Sequence, residues 1–239
     1  MFETINITRN SNNSILKISF NRRQSRNALN SKLRNEIINA INSNYGSVRV
    51  IILTGAGGAF SIGHDFLEEP ADDPEKVYEV LMTEYGPMVD AIETCPIPVI
   101  AAVNGPAIGV GVALALASDI VIMQQRSYFS LPFLARGMVP DAGVLRFLER
   151  RAGSQRALGA ALFGNIITSD QALDWGLAWE VVPRLTFNDC IDRRAETLSA
   201  LSPMAVRSLK LLSRGNAVMS PPEARKFEAE LQAECIRSA

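Results

Sequence analysis

Three short stretches of the 239-residue chain carry side chains or turns suited to chemistry. In the first, Gly63 precedes His64; in the second, Gly109 precedes Val110 where a helix begins. Each follows an apolar run that reads as a buried strand. Both turns should therefore open at one end of the same sheet, where α/β proteins bind their ligands. Glycine lets the backbone bend until its N–H groups face a cleft. Two such groups, one at a helix N-terminus, could hold an oxygen that becomes negative during a reaction. The same glycines could equally serve close packing alone. In the third stretch, Asp141 lies in Gly137-Met-Val-Pro-Asp-Ala-Gly143, between apolar neighbours and ahead of a helix. An aspartate so placed is either an N-cap or, with its pKa raised by apolar surroundings, a proton-transferring base.

Other chemistries lack their residues. His64 is the single histidine, so His-rich metal sites are excluded, as is any Ser-His pair not built on it. Cys95, Cys190 and Cys235 lie far apart with no CxxC, which indicates neither a disulfide framework nor a zinc cluster. Gly55-Ala-Gly57 is half of a dinucleotide fingerprint, but the third glycine position holds Phe60 and no Gly-Lys-Ser/Thr occurs. Lys plus Arg total 24 against 25 acidic residues, a net charge of −1, so there is no basic excess for nucleic acid. Residues 94–118 carry no charge and are long enough for a membrane span. Pro96, Pro98, Asn104, Gly105 and Pro106 break its first half, where lipid would leave backbone groups unsatisfied. A buried strand, a turn and a helix are expected there, and no membrane partner. Residues 1–10 have no apolar signal-peptide core, and the cytoplasm is the expected compartment.

The elements that must position these residues follow from periodicity. Alternating residues 4–8 and 15–20 predict an opening hairpin. A polar, Arg-rich loop (21–30) leads to a helix capped by Asn30 or Ser31, with Leu33, Ile37 and Ile41 on one face. Residues 48–53 form a β-branched run, predicted as a strand buried on both faces. The acidic stretch 68–75 reads as a mobile surface loop before a helix reaching about Glu93. Strands at 97–103, 119–123 and 128–131 then alternate with helices, which predicts a largely parallel sheet in an α/β body. From Gly143 onward the signals are helical: Thr168 with Gln171 makes a capping box and Gly176 a stop. Later helices should present Ala205, Leu209 and Leu212, then Phe227, Leu231 and Cys235, as apolar stripes. An α/β body over 1–185 and a helical region over 186–239 are expected.

Arg26-Asn-Ala-Leu29, Leu53-Thr-Gly-Ala-Gly-Gly-Ala-Phe-Ser-Ile-Gly-His-Asp65 and Pro98-Val-Ile-Ala-Ala-Val-Asn-Gly-Pro-Ala-Ile-Gly109 occur in that order. With Ser118-Asp-Ile120, Val139-Pro-Asp-Ala-Gly143 and Asp174-Trp-Gly-Leu177, they make the chain resemble the crotonase superfamily, the enoyl-CoA hydratase/isomerase family. The resemblance implies a spiral of ββα units with a helical C-terminal region that packs homotrimers or dimers of trimers. It implies an acyl-CoA substrate with no cofactor beyond that CoA, and a thioester oxygen held by the N–H groups of His64 and Val110. Arg26, Asn27 and Ala28 would lie by the adenine and phosphates, and Asp65 and Phe66 at the thioester end beside Gly109. Relatives of this kind continue some twenty residues further, with a helix that can cover a neighbour's CoA.

The reaction turns on three positions. The two glutamates that hydratases of the family use correspond here to Ala113 and Phe133. Neither transfers a proton, and Phe133 would dry the substrate pocket. Asp141 matches the aspartate of dienoyl-CoA isomerases, and its surroundings most resemble the branch that opens 1,2-epoxyphenylacetyl-CoA. The expectation is an isomerase in which Asp141 carries a proton between two carbons while the amides hold the enolate. The alternatives are a hydratase-type lyase, an enzyme of carrier-bound thioesters in polyketide pathways, and attack by Asp141 on an aryl-CoA. A protein that only binds acyl-CoA is the alternative from another class.

Overall fold

The alternating residues near the N-terminus form the expected hairpin. β1 (Ile5–Arg9) and β2 (Ile15–Phe20) run antiparallel, with Ile7 opposite Ile18. The computed structural model describes residues 2–43, 46–69, 71–215 and 219–238. In α1 (Ser31–Asn42) the Asn30 side chain accepts the Leu33 N–H at 3.0 Å, and Leu33, Ile37 and Ile41 are buried as their spacing requires. β3 (Val50–Gly55) follows, buried along its whole length.

The stretch read as a loose acidic loop is anchored. Glu68 pairs with Arg22 and accepts from Asn30, while Glu69 binds Arg34 and the Ser31 N–H. Pro70, in the same stretch, lies outside the described residues. Asp73 caps α2 (Pro74–Val80), which passes through one π-turn, Leu81–Tyr85, into α3 (Gly86–Glu93). Pro87 has no N–H for the Thr83 carbonyl, and the chain meets that defect with a turn in which Gly86 N–H reaches the Leu81 carbonyl.

β4 (Val99–Val103), β5 (Ala107–Ile108) and α4 (Val110–Ala117) occupy the uncharged stretch, so it is interior to the fold. Among the described residues no helix is long and apolar enough to cross a membrane. β6 (Ile120–Gln124), β7 (Tyr128–Ser130), α5 (Val144–Ala152) and α6 (Ser154–Phe163) come next. Two strands then appear where only helices were expected: β8 (Ile167–Thr168), ahead of α7 (Ser169–Asp174), and β9 (Glu180–Val182). Runs of two and three residues are too short to show a period. Thr168 belongs to β8 and also supplies the expected capping box of α7.

The main sheet has the order β1-β2-β3-β4-β6-β9 and is parallel from β2 onward. β5, β7 and β8 form a second sheet, so residues 128–131 do not extend the first. Side chains of the main sheet alternate between two apolar cores. Ile51, Leu53, Val99, Ala101, Val121 and Met123 face the larger one; Val50, Ile52, Ile100, Ala102 and Ile122 face the other. That second face is closed by α8 (Phe187–Ser199) through Phe187, Cys190, Ile191 and Ala195.

α9 (Pro203–Gly215) does not bury the expected stripe. Leu209 is 67% exposed, whereas Ser208 and Lys210 face inward. Lys210 Nζ donates to the Ile97 carbonyl at 2.6 Å and to Asp119 at 2.5 Å, so a buried charge pins the helix against β4 and β6. In α10 (Pro221–Arg237) the stripe holds, with Leu231 buried and Phe227 and Cys235 partly so.

Candidate active site

The two glycine turns are fastened to each other by backbone bonds. Ser61 N–H donates to the Pro106 carbonyl at 3.2 Å and Ile108 N–H to the Ser61 carbonyl at 2.9 Å. Gly109 N–H reaches Ser130 in β7 at 2.9 Å, so the second sheet braces the entrance to α4. The turns touch at Gly63. Its φ is +84°, and an added Cβ there would stand 2.6 Å from the Ile108 carbonyl oxygen and 3.4 Å from Val110 N. Only glycine brings the chains this close.

Both expected amides are directed by this arrangement. Val110 is the first residue of α4, so its N–H belongs to the set a helix cannot satisfy internally. Leu29 N–H donates to the Gly63 carbonyl at 2.7 Å. In a trans peptide the His64 N–H points opposite to that carbonyl, away from Leu29.

An open cleft lies beside these turns. Gly63, His64, Gly109 and Val110 form one wall, Phe66, Phe133, Met138 and Asp141 another, and Val77, Val80, Leu81 and Tyr85 a third. The third wall comes from α2 and the π-turn, where Met82 is exposed and absent from the lining. Arg136 lies over the Phe66 ring at 4.2 Å, and the Phe66 ring meets His64 edge-on at 4.7 Å.

Asp141 is no helix cap. α5 starts at Val144 with Gly143 as its cap residue, and it is the Asp141 carbonyl that accepts the Val144 N–H at 3.0 Å. The residue is part of the cleft lining instead, with Oδ1 buried and without a hydrogen-bond partner among the described residues. Burial pushes its pKa up to about 6. Glu69, the other acidic residue of the lining, is engaged by Arg34 and Ser31.

The imidazole of His64 is bound at both nitrogens, Nε2 to the Glu69 carbonyl at 2.7 Å and Nδ1 to Tyr85 Oη at 2.8 Å. Burial lowers its pKa, and the Arg34 charge adds to that, so it is neutral at pH 7. A ring tied on both sides has no free nitrogen for a substrate proton.

Asp65 differs from expectation. It is buried outside the cleft lining, with Oδ2 on Arg22 at 2.6 Å and Oδ1 on the Leu67 and Glu68 amides. Burial works against its charge, but the Arg22 hydrogen bond and the amides outweigh it and hold the carboxyl below the ordinary range. Asn27 is likewise a buried clamp, accepting from Arg22 N–H and donating to Ala56 and Ala59, and the Ala28 carbonyl is taken by Arg22. Of the three residues assigned to the adenine and phosphates, only Arg26 is exposed, and none lines the cleft. Ala113 is buried within α4, and Phe133 lines the pocket, so neither hydratase position offers a carboxylate.

Arg34 and Tyr85 were not among the candidates. Arg34 is fully buried, held by Glu69 and Glu84, and donates to the Leu29 carbonyl at 2.7 Å and to Tyr85 Oη at 3.1 Å. An arginine one residue after Leu33 on an amphipathic helix reads as solvated, and its acidic partners are 35 and 50 residues away.

Residues 10–239 match the family model described as enoyl-CoA hydratase/isomerase. A protein of Rhodobacter capsulatus named a probable enoyl-CoA hydratase is 39% identical over 222 residues, covering 93% of this chain and 86% of its own. The 1,2-epoxyphenylacetyl-CoA isomerase of Escherichia coli is 34% identical over 190 residues, covering 77% and 72%. Among solved structures, an enoyl-CoA hydratase from Bacillus anthracis superposes with a TM-score of 0.93 at 29% identity, covering 98% of this chain and 92% of its own.

Proposed function

Because the chain belongs to the enoyl-CoA hydratase/isomerase family and has the crotonase fold, we propose that it moves a carbon–carbon double bond within an enoyl-CoA thioester. The observation that carries this reading is Asp141, a half-buried residue of the cleft lining whose Oδ1 is shielded and has no hydrogen-bond partner among the described residues. Its ionised form takes a proton from C2 of a 3-enoyl thioester, and the electron pair moves onto the thioester oxygen. The resulting dienolate is held by the His64 and Val110 N–H groups. Protonated Asp141 then returns the proton at C4, leaving the 2-enoyl isomer and a regenerated carboxylate. CoA enters as part of the substrate, and the proton balance needs no further cofactor.

Hydration is the second reading, favoured by the name of the Rhodobacter capsulatus relative. It calls for a group that holds water and another that protonates carbon, and Ala113 and Phe133 supply neither. Incubation of a 3-enoyl-CoA in D₂O, followed by mass spectrometry, separates the two. Isomer carrying deuterium supports the proposal; addition of water, or unchanged substrate, rejects it.

The pH profile is a further expectation. Asp141 must be ionised to begin the reaction, and its pKa is about 6. Thus kcat/KM should fall about tenfold per pH unit below that value and level off above it. Rates measured from about pH 5 to about pH 8 check this, and a profile flat through pH 6 contradicts it.

Leu162, Phe163, Ile166 and Trp179 are apolar and exposed. Self-association as a homotrimer or a dimer of trimers would cover such side chains. Light scattering should give three or six times the 26.0 kDa chain mass; a monomer at micromolar concentration rejects this.

A further inference from the structure

We propose that Tyr85 is a positioning residue, whose hydroxyl holds the Gly63–His64 peptide in the orientation that aims the His64 N–H into the cleft. This rests on the reading of that N–H as a donor to the thioester oxygen. The hydroxyl lies where three parts of the site meet. It is 2.8 Å from His64 Nδ1, 3.1 Å from Arg34 Nη1 and 3.1 Å from the Leu29 carbonyl.

Proton inventory fixes the direction of each bond. The Glu69 carbonyl only accepts, so His64 Nε2 carries the proton and the neutral ring accepts at Nδ1. Arginine only donates, so Tyr85 Oη accepts from Arg34 and gives its own proton to His64. The Leu29 carbonyl is a second acceptor in reach of the Tyr85 proton at 3.1 Å, but it also has Arg34 at 2.7 Å, whereas the Nδ1 lone pair, at 2.8 Å, has the tyrosine hydroxyl as its donor. A chain therefore runs from Glu69 and Glu84 through Arg34 and Tyr85 to the imidazole.

The same chain reaches the peptide from its other side. Arg34 grips the Leu29 carbonyl, and Leu29 N–H grips the Gly63 carbonyl. The peptide is thus held at its oxygen through Leu29 and at its following side chain through Tyr85. Rotating the N–H away from the cleft would break both holds.

Helix geometry supports a dedicated placement. Tyr85 ends the π-turn forced by Pro87, and it is 2% exposed although it stands on a cleft wall. π-turns recur where a helix must present a side chain that regular winding would misdirect. The guanidinium of Arg34 also lies 4.4 Å from the Tyr85 ring centre, which fixes the ring as well as its hydroxyl.

Tyr85→Phe keeps the ring and removes the hydroxyl. The probe is [1-¹³C]butyryl-CoA, which has no double bond to move and reports carbonyl polarisation without turnover. The bound carbonyl signal should lie downfield of free ligand in the wild type, and Tyr85→Phe should lose half or more of that displacement. Dissociation constants of the two proteins should agree within about threefold, and kcat on a 3-enoyl-CoA should fall about tenfold with KM little changed. His64 is the only histidine, so ¹⁵N-histidine labelling gives one pair of ring signals. In the wild type Nε2 should bear the proton, and in Tyr85→Phe the Nδ1 signal should move downfield as it loses its donor.

Full carbonyl displacement in Tyr85→Phe, with an unmoved Nδ1 signal, overturns the proposal. A proton on Nδ1 in the wild type overturns it without any variant, which covers the case of a Tyr85→Phe protein that does not fold. No carbonyl displacement in the wild type removes the oxyanion reading itself, and the assignment to Tyr85 with it.

Discussion

The Asp141→Asn protein is expected to lose about 10²–10⁴-fold in kcat while binding a saturated acyl-CoA as tightly as the wild type. Asparagine keeps the size and one oxygen of the side chain but cannot take a proton from carbon. The cleft offers no substitute, because Glu69 is tied to Arg34 and Ser31, and His64 is tied at both nitrogens. A binding protein without chemistry would show no change in either quantity. Turnover and ligand titration on the same two proteins decide between them, and retention of full turnover would reject Asp141 as the base.

The same substitution should make the fold more stable at neutral pH. Burial raises the Asp141 pKa from 3.8 to about 6, so the folded state holds its proton at pH values where the unfolded chain has lost it. Stability from this group is therefore fully present below about pH 4 and declines as pH rises through about 6. Above that range the ionised carboxylate weighs against folding by about 1–3 kcal/mol, after allowance for partial exposure. Asparagine has no charge to bury, so its melting temperature should rise at pH 7 and match the wild type near pH 4. A group that only capped a helix would show little change at either pH, since asparagine caps about as well as aspartate. An inactive but more stable variant identifies a side chain kept for chemistry.

Much of this arrangement was legible in the order of residues, and the parts that were not share a cause. Periodicity located β3, β4, α1 and the hairpin because their apolar faces repeat over five residues or more. The strands β8 and β9 are too short to repeat, and their pairing depends on partners 38 to 58 residues distant. His64, Val110, Phe133 and Asp141 do converge on one cleft. Asp65, Asn27 and the Ala28 carbonyl engage other parts of the chain, a detail the sequence did not show, because family position says where a residue lies along the chain, not which way its polar atoms point. Their partners gather around Arg22, one cation serving Asp65, Glu68 and the Ala28 carbonyl. Arg34 and Tyr85 were missed for a related reason. A buried charge gives no local signal, since the acids that make its burial tolerable come from distant loops. The stripe expected on α9 failed similarly, because Lys210 finds Asp119 only across the sheet edge.

Gly63→Ala should reduce kcat by about 10²–10³-fold, comparable to removing one donor of an oxyanion hole. Two effects combine at this position. With φ at +84° an alanine is strained in place, and its Cβ would lie 2.6 Å from the Ile108 carbonyl oxygen. That oxygen is backbone, fixed in the second sheet, and cannot swing aside as a flexible side chain would. The turn bearing His64 must then retreat from the turn bearing Val110, and the two N–H groups no longer converge on one oxygen. Folding should weaken by about 2–4 kcal/mol, the sum of left-handed strain and overpacking. Strain alone can be measured separately at Gly153, where φ is +80°, no atom lies within 4 Å of the added Cβ, and the cleft is not involved. Gly153→Ala, at φ +80° and ψ 161°, should lose about 1–3 kcal/mol of stability with kcat intact. Comparable kcat in the two alanine variants would mean that the close approach of the turns has no part in the reaction. A rate loss confined to Gly63→Ala, with the bound [1-¹³C]butyryl-CoA signal returned toward its free position, would tie that loss to the separation of the two amides.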